Sequence, residues 1–315
     1  MDAQPPDSTA YKTHAFIARL RYVYQPAFGV EPLSMPIRLI ALDIDGTLLN
    51  SSSGLPDANL RAIQAAVARG IEVALVTGRR FDFARTIADL IPCPLTMIVN
   101  NGALVRSKDG ATHLRNLLPR QTALDLIGHM SDYRRGAALV FDRLRENQVV
   151  YEEIDWQDPR RRPYLLRNRE FIAQISPLED ALTEDPIQLM YSGSPKIMHA
   201  AETALRAAPN RESFSLAVTY YDHMDFAMLD VIHPRCSKGA TLADWAARRG
   251  YSRDEIMAVG DNFNDVEMLE FAGLPVVMAN AVAELKTAGW RETLSNDHAG
   301  VAAAIELYAL GNSEN

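Results

Sequence analysis

Two aspartates two residues apart, Asp43 and Asp45, close a short apolar run, Arg38-Leu39-Ile40-Ala41-Leu42, and are followed by Gly46-Thr47. The run is rich in strand formers and flanked by breakers, so it reads as a buried strand that ends at the first acid. Side chains alternate along an extended chain, which lets both carboxylates project to one side of the strand's exit. Gly46 permits the sharp turn that follows. One carboxylate can then attack an electrophile while the other moves a proton. A calcium loop is the rival chemistry, but its pattern needs a glycine where Leu48 stands and a glutamate where Gly54 stands.

Three further signals follow in order. Thr77-Gly78-Arg79 comes after the apolar run Ile71 to Val76 and before a helix-like stretch from Arg80 to Leu90. A hydroxyl and a glycine N–H at such a turn can hold a phosphate oxygen near the positive end of a helix. Ser237-Lys238-Gly239 opens an amphipathic stretch running to Arg249, and its lysine can balance phosphate charge. Gly260-Asp261-Asn262-Phe263-Asn264-Asp265 follows the strand-like run Glu255 to Val259. Its oxygen donors suit a hard cation such as magnesium, and Asp261 could also serve as a helix N-cap.

These four signals, in this order and each after a strand-like run, make the chain resemble the haloacid dehalogenase superfamily of phosphotransferases, in particular its Cof-like branch (subclass IIB). The likeness extends from Pro36 to Leu310 and includes Asn101-Gly102-Ala103, the stretch Val276 to Ala281, and the segment from Ser295-Asn296 to Gly300-Val301. The resemblance implies an α/β fold: a doubly wound, Rossmann-like parallel sheet core with an inserted α+β cap domain. It implies that Asp43 is the nucleophile forming an aspartyl-phosphate and Asp45 the general acid/base. Thr77, Gly78, Lys238 and Asn264 are implied to bind phosphate. Mg2+ is implied on the carboxylates of Asp43 and Asp261 and the backbone carbonyl of Asp45, with Asp265 orienting Lys238 or a metal-bound water. The expected function is Mg2+-dependent hydrolysis of a small phosphomonoester, most of all a sugar phosphate. A phosphomutase of the phosphomannomutase type and a non-catalytic phosphometabolite-binding regulator are the alternatives.

The elements that must position these residues divide accordingly. Residues 36–117 and 235–310 are expected to form the core, residues 118–234 the cap, and residues 1–35 a disordered N-terminal extension in which Tyr11 to Tyr24 could form an amphipathic helix. Ala103 to Leu117 reads as a hairpin with a two-residue turn at Asp109-Gly110. Within the insert a helix–strand–strand pattern occurs twice: Gln121 to Tyr133, Ala137 to Phe141, Gln148 to Ile154, then Lys196 to Ala208, Ser213 to Tyr220, Asp225 to Ile232. The arginine-rich stretches Arg160 to Arg162 and Arg167 to Arg169 read as a solvated loop, Trp156 as packing, and His223 and Asp225 as candidates to face the site.

Composition agrees. A chain of 315 residues can build two cores, and a net charge of −8 argues against nucleic acid or acidic membranes as partners. Two cysteines, Cys93 and Cys236, form no Cys-x-x-Cys pattern and fit a reducing, cytoplasmic setting. No apolar run reaches the roughly 18 residues of a membrane span. The expected partner is a small-molecule phosphomonoester, with the protein a monomer or homodimer.

Overall fold

A computed structural model describes residues 36–221 and 225–311. The expected N-terminal extension and His223 lie outside the described residues. In chain order the elements are β1 (Leu39–Leu42), α1 (Asp57–Ala68), β2 (Glu72–Val76), α2 (Phe81–Ala88), β3 (Thr96–Val99), β4 (Leu104–Ser107), β5 (Thr112–Arg115) and α3 (Arg120–His129). Then come β6 (Ala137–Val140), β7 (Val149–Tyr151), α4 (Arg162–Arg167), β8 (Ile172–Gln174), β9 (Gln188–Gly193), α5 (Pro195–Arg206), β10 (Ser215–Tyr221) and β11 (Phe226–Ile232). The chain ends with α6 (Lys238–Arg249), β12 (Ile256–Gly260), α7 (Val266–Phe271), β13 (Leu274–Val277), α8 (Ala283–Lys286), β14 (Arg291–Glu292) and α9 (Gly300–Ala304). The fold class is mixed α/β with a parallel-rich sheet, as expected.

One compact unit comprises the described residues up to Val73 together with those from Arg249 onward; the other runs from Ala74 to Arg248. In the first, β1 pairs with β12, β12 with β13 and β13 with β14, all parallel. β1 and β12 are buried throughout, which explains why they read as continuous apolar runs without alternation. Helix α1 buries Asn59, Ala62, Ile63 and Ala66, the spacing of a single helical face. It stops at Gly70, whose φ of +80° suits the left-handed residue that commonly ends a helix. Buried Asn59 donates to Leu48 O at 3.0 Å and accepts from Ala302 N at 2.9 Å. That side chain therefore ties the segment after β1 to α9.

The second unit holds two sheets. β2 and β3 are parallel, whereas β4 and β5 add antiparallel strands beside β3. The loop between β4 and β5 differs from expectation. Ser107 N donates to Ala111 O, and Gly110 N donates to Ser107 O with φ +97° at Gly110. Three residues, 108–110, make this connection, because a left-handed glycine after a tight turn absorbs the extra residue.

The other sheet has six strands in the order β10-β11-β9-β6-β7-β8, antiparallel except for the β7–β8 pair. One face packs on α3 and α5 through a cluster that includes Leu126, Leu139, Leu189, Tyr191, Leu205 and Leu229. By register Met190 pairs with Asp230 and with Ala138, so these residues share the opposite face with Gln188 and Ser192.

The repeated helix–strand–strand pattern accounts for β6, β7, β10 and β11 but not for β8 or β9. β9 lies between Pro186 and a Ser-Gly-Ser-Pro turn, and its Gln-Leu-Met-Tyr-Ser-Gly run does not alternate, so local pattern gives it little weight. Yet it sits in the middle of the sheet. The arginine-rich stretch is also more ordered than a solvated loop: residues 162–167 are helical, Arg160 pairs with Asp158, and Arg161 donates to Ser192 Oγ. The Arg169 guanidinium lies 5.6 Å from the half-buried Trp156 ring. Asp225 is exposed, in the turn before β11. Among the described residues no helix is long and apolar enough to cross a membrane.

Candidate active site

In the first unit the chain leaves β1 at Asp43, whose N–H donates to Val259 O at 3.1 Å, continuing the parallel pairing to the last residue before the turn. Leu48 N and Leu49 N return to Asp43 O and Ile44 O at 3.2 and 3.0 Å, so residues 43–49 form a closed loop. Asp43 is buried and Asp45 exposed. Gly46 has φ +83°, and a Cβ there would run into the Asp261 carboxylate. Only glycine lets the turn carrying the two acids come this close to the third. Asn280 Nδ2 donates to Gly46 O at 2.8 Å, and Asn280 Oδ1 accepts from Asn296 N at 2.9 Å.

Asp261 stands just past the end of β12. Thr47 Oγ1 donates to Asp261 Oδ1 at 2.6 Å, a charge-assisted bond buried from water. Asp265 is fully buried, and its Oδ2 accepts from Asp261 N at 3.0 Å and Asn262 N at 3.1 Å. Asp265 thus braces the turn that presents Asp261. Asn264 is half-buried in the same turn.

Oxygens of Asp43, Asp261 and Asp265, all three buried, lie within 4.8 Å of one another. Three carboxylates crowded together away from water repel strongly, and a bound cation removes that cost. The donors are hard oxygens, the set suited to magnesium or calcium and poorly suited to soft metals. The residues present fit a divalent cation held by Asp43 and Asp261, with Asp265 behind them.

Thr77, Gly78 and Lys238 belong to the second unit. Thr77 is buried at the end of β2, and its Oγ1 accepts from Arg79 N at 3.1 Å, which leaves the hydroxyl proton to donate elsewhere. The 77–79 turn is clasped by the loop after β3. Asn101 N donates to Thr77 O at 3.1 Å, and Asn100 N donates to Arg79 O at 2.9 Å. The same loop reaches α6: Thr241 Oγ1 donates to Gly102 O at 2.9 Å. Ser237 caps that helix by accepting from Ala240 N at 2.9 Å, and Lys238, 2% exposed, occupies its first turn. The Asn100-Asn101-Gly102 loop therefore joins the turn bearing Thr77 and Gly78 to the helix start bearing Lys238.

The sequence places Thr47 in the first motif and Asn101-Gly102 and Asn280 in the stretches that carry the resemblance, without assigning them a role, and gives no prominence to Asn100. A signal for the loop exists in hindsight: consecutive Asn-Asn-Gly after a strand, at φ +51°, +52° and +95°. Asparagine and glycine are the residues that tolerate this left-handed region.

A family model described as haloacid dehalogenase-like hydrolase matches residues 40–305. A stress response protein of Bacillus subtilis is 27% identical over 286 residues, covering 87% of this chain and 94% of that one. The 5-amino-6-(5-phospho-D-ribitylamino)uracil phosphatase of the same organism is 27% identical over 284 residues, covering 90% of this chain and 100% of that one. Among solved structures, a haloacid dehalogenase-like hydrolase from B. subtilis superposes with a TM-score of 0.72 at 22% identity, covering 86% of this chain and 99% of that one. The last likeness concerns the fold alone.

Proposed function

Because this chain belongs to the haloacid dehalogenase-like hydrolases, we propose that it is a phosphatase, a Mg2+-dependent phosphomonoester hydrolase working through an aspartyl-phosphate on Asp43. The observation that carries the reading is the convergence of Asp43, Asp261 and Asp265 at the ends of two parallel strands. Curated relatives that bear phosphatase names over nearly their whole length support it.

A carboxylate of Asp43 attacks phosphorus, the P–O bond to the leaving alcohol breaks, and Asp45 supplies that alcohol with a proton. Asp45 then takes a proton from water, which attacks the aspartyl-phosphate, releases inorganic phosphate and restores Asp43. Bound magnesium would offset the repulsion between carboxylate and phosphate dianion. Thr77 Oγ1–H, Gly78 N–H, Lys238 and Asn264 hold the phosphoryl oxygens, and Asp265 keeps the Asp261 turn in shape. A buried lysine in the first turn of α6 gains from an anion beside it, since that helix end already carries positive potential. Residues 118–234 act as a cap that selects the non-phosphate part of a small phosphorylated metabolite, most of all a sugar phosphate.

The test is phosphate release by the purified full chain from a panel of sugar, nucleotide and cofactor phosphates, with and without magnesium. Metal-dependent release that Asp43→Ala abolishes is the expected result. Isomerisation without release would favour a mutase, and tight binding without turnover a regulator.

A further inference from the structure

β11 carries a single acid, Asp230, at a position where the strand is buried on both sides. The side chain is 4% exposed, and no cation pairs with it among the described residues. Both carboxylate oxygens accept from neutral amides: Gln188 Nε2 donates to Oδ1 at 2.8 Å, and Asn101 Nδ2 donates to Oδ2 at 3.0 Å. Asn100 Nδ2 lies 3.4 Å from Gln188 Oε1, at the far end of the same chain of amides. With its Nδ2 directed at Asp230, Asn101 presents Oδ1 to Gly78, where a Cβ on residue 78 would stand 2.9 Å from that oxygen.

We propose that Asp230 is a positioning residue for the phosphate-binding turn: its carboxylate holds the Asn101 amide in one orientation, and Asn101 in turn holds the Thr77-Gly78-Arg79 backbone. The inference rests on the function proposed above and adds to it a control on the turn's geometry.

The chemistry of the two protonation states explains why an acid stands there. An ionised carboxylate only accepts, so two amide N–H groups facing it have one satisfactory arrangement. A protonated carboxyl donates from one oxygen, and the facing amide can then rotate and present its own oxygen instead. Rotation of Asn101 replaces Oδ1 by an NH2 group against Gly78. The Asn101 backbone, at φ +52° and ψ +33°, bonds directly to Thr77 O, so the disturbance reaches the turn.

Burial without a cation pushes the Asp230 carboxyl up to about 7, the Asn101 hydrogen bond opposing the shift. Tyr164 on α4 is the titratable group that bears on Asp230, and the charges of Arg80 and Arg161 bear on Tyr164. β9 and β10 place uncharged Met190 and Ala217 opposite Asp230. The ordered turn accordingly belongs to the ionised state and is lost as pH falls through neutrality.

The experiment compares full-length wild type, Asp230→Asn, Asn101→Ala and the double variant, using a chromogenic aryl phosphate with magnesium across pH 5.5–8.5. Wild type is expected to gain kcat/KM with pH through a midpoint near that of Asp230. Asp230→Asn should lose that limb and about 10-fold in kcat/KM, mostly through KM, and the double variant should lose no more than Asn101→Ala. Asp230→Asn with wild-type kcat/KM and an unchanged limb overturns the proposal. A second readout needs neither turnover nor a folded variant: the 15N-labelled side-chain amide of Asn101 in wild type should shift with the same midpoint. An Asn101 signal indifferent to pH sinks the tether even in an active phosphatase. An inactive wild type whose Asn101 signal still titrates sinks the phosphatase reading and leaves the tether standing.

Discussion

The two regions to which the proposed function assigns chemistry each keep their own shape, and by opposite means. The loop after β1 gathers carboxylates: Asp43, Asp261 and Asp265 converge, braced by backbone N–H groups and the Thr47 hydroxyl. The loop after β3 holds its turn with neutral amides, Asn100, Asn101 and Gln188, arranged about one carboxyl group, Asp230. The first arrangement brings like charges together, a cost that a bound cation offsets. The second carries no such cost of comparable size and keeps its shape through hydrogen-bond direction. Charge is concentrated in the cluster to which the proposed function assigns the reaction, and the shape of the other turn is kept largely by neutral groups.

The sharpest way to break this contrast is Asp43→Asn. If the acids after β1 are the reactive set, kcat should fall on the order of 10⁴-fold or more, as for other nucleophile losses. Metal-free thermal stability should hold or rise, since one of three repelling charges is gone. Phosphate release and differential scanning calorimetry check both halves.

The buried acid of the other region should instead reveal itself in stability against pH. Its folded-state value of about 7 lies above the roughly 3.9 of an unfolded aspartate, so between those values the native state holds the proton more tightly. Its contribution is complete below the unfolded value and is lost as pH rises through the folded one. Wild type should lose about 3 kcal/mol relative to Asp230→Asn between pH 5 and pH 7.5, measured by urea unfolding at each pH. Activity is expected to run the other way over the same range.

Magnesium separates the regions again. At one hundred times its Kd it should stabilise the metal-free protein by about 2.7 kcal/mol, a gain that Asp261→Asn removes and Asp230→Asn keeps. Thr47→Val gives the smallest effect. It preserves shape but takes the hydroxyl donor from Asp261 Oδ1, with an expected loss of about 1 kcal/mol in stability or metal affinity, read by the same titration.

Much of the fold was legible locally. β1, β2 and β12 are buried apolar runs, and each expected site residue after them stands at the end of its strand or in the turn that follows. The helices α2, α3, α5 and α6 lie within a few residues of their expected spans. β9 escaped because a six-residue segment between prolines offers too little periodicity, although its backbone bonds place it between β11 and β6. The three-residue loop of the β4–β5 hairpin escaped because Asp109-Gly110 suits two turn geometries, and only strand register chooses between them.

Residue types and short spacings were enough to name the acids, the hydroxyl–glycine turn and the lysine, because each sits at a boundary that hydrophobic pattern marks within a few positions. They could not reveal that Asn101 meets Asp230, 129 positions away. A hydrogen bond is decided by distances of about 3 Å and by direction, and nothing in local periodicity constrains either between two distant strand ends. Whether a polar group inside a strand is a flaw, a brace or part of a site was settled by the packing of the folded chain.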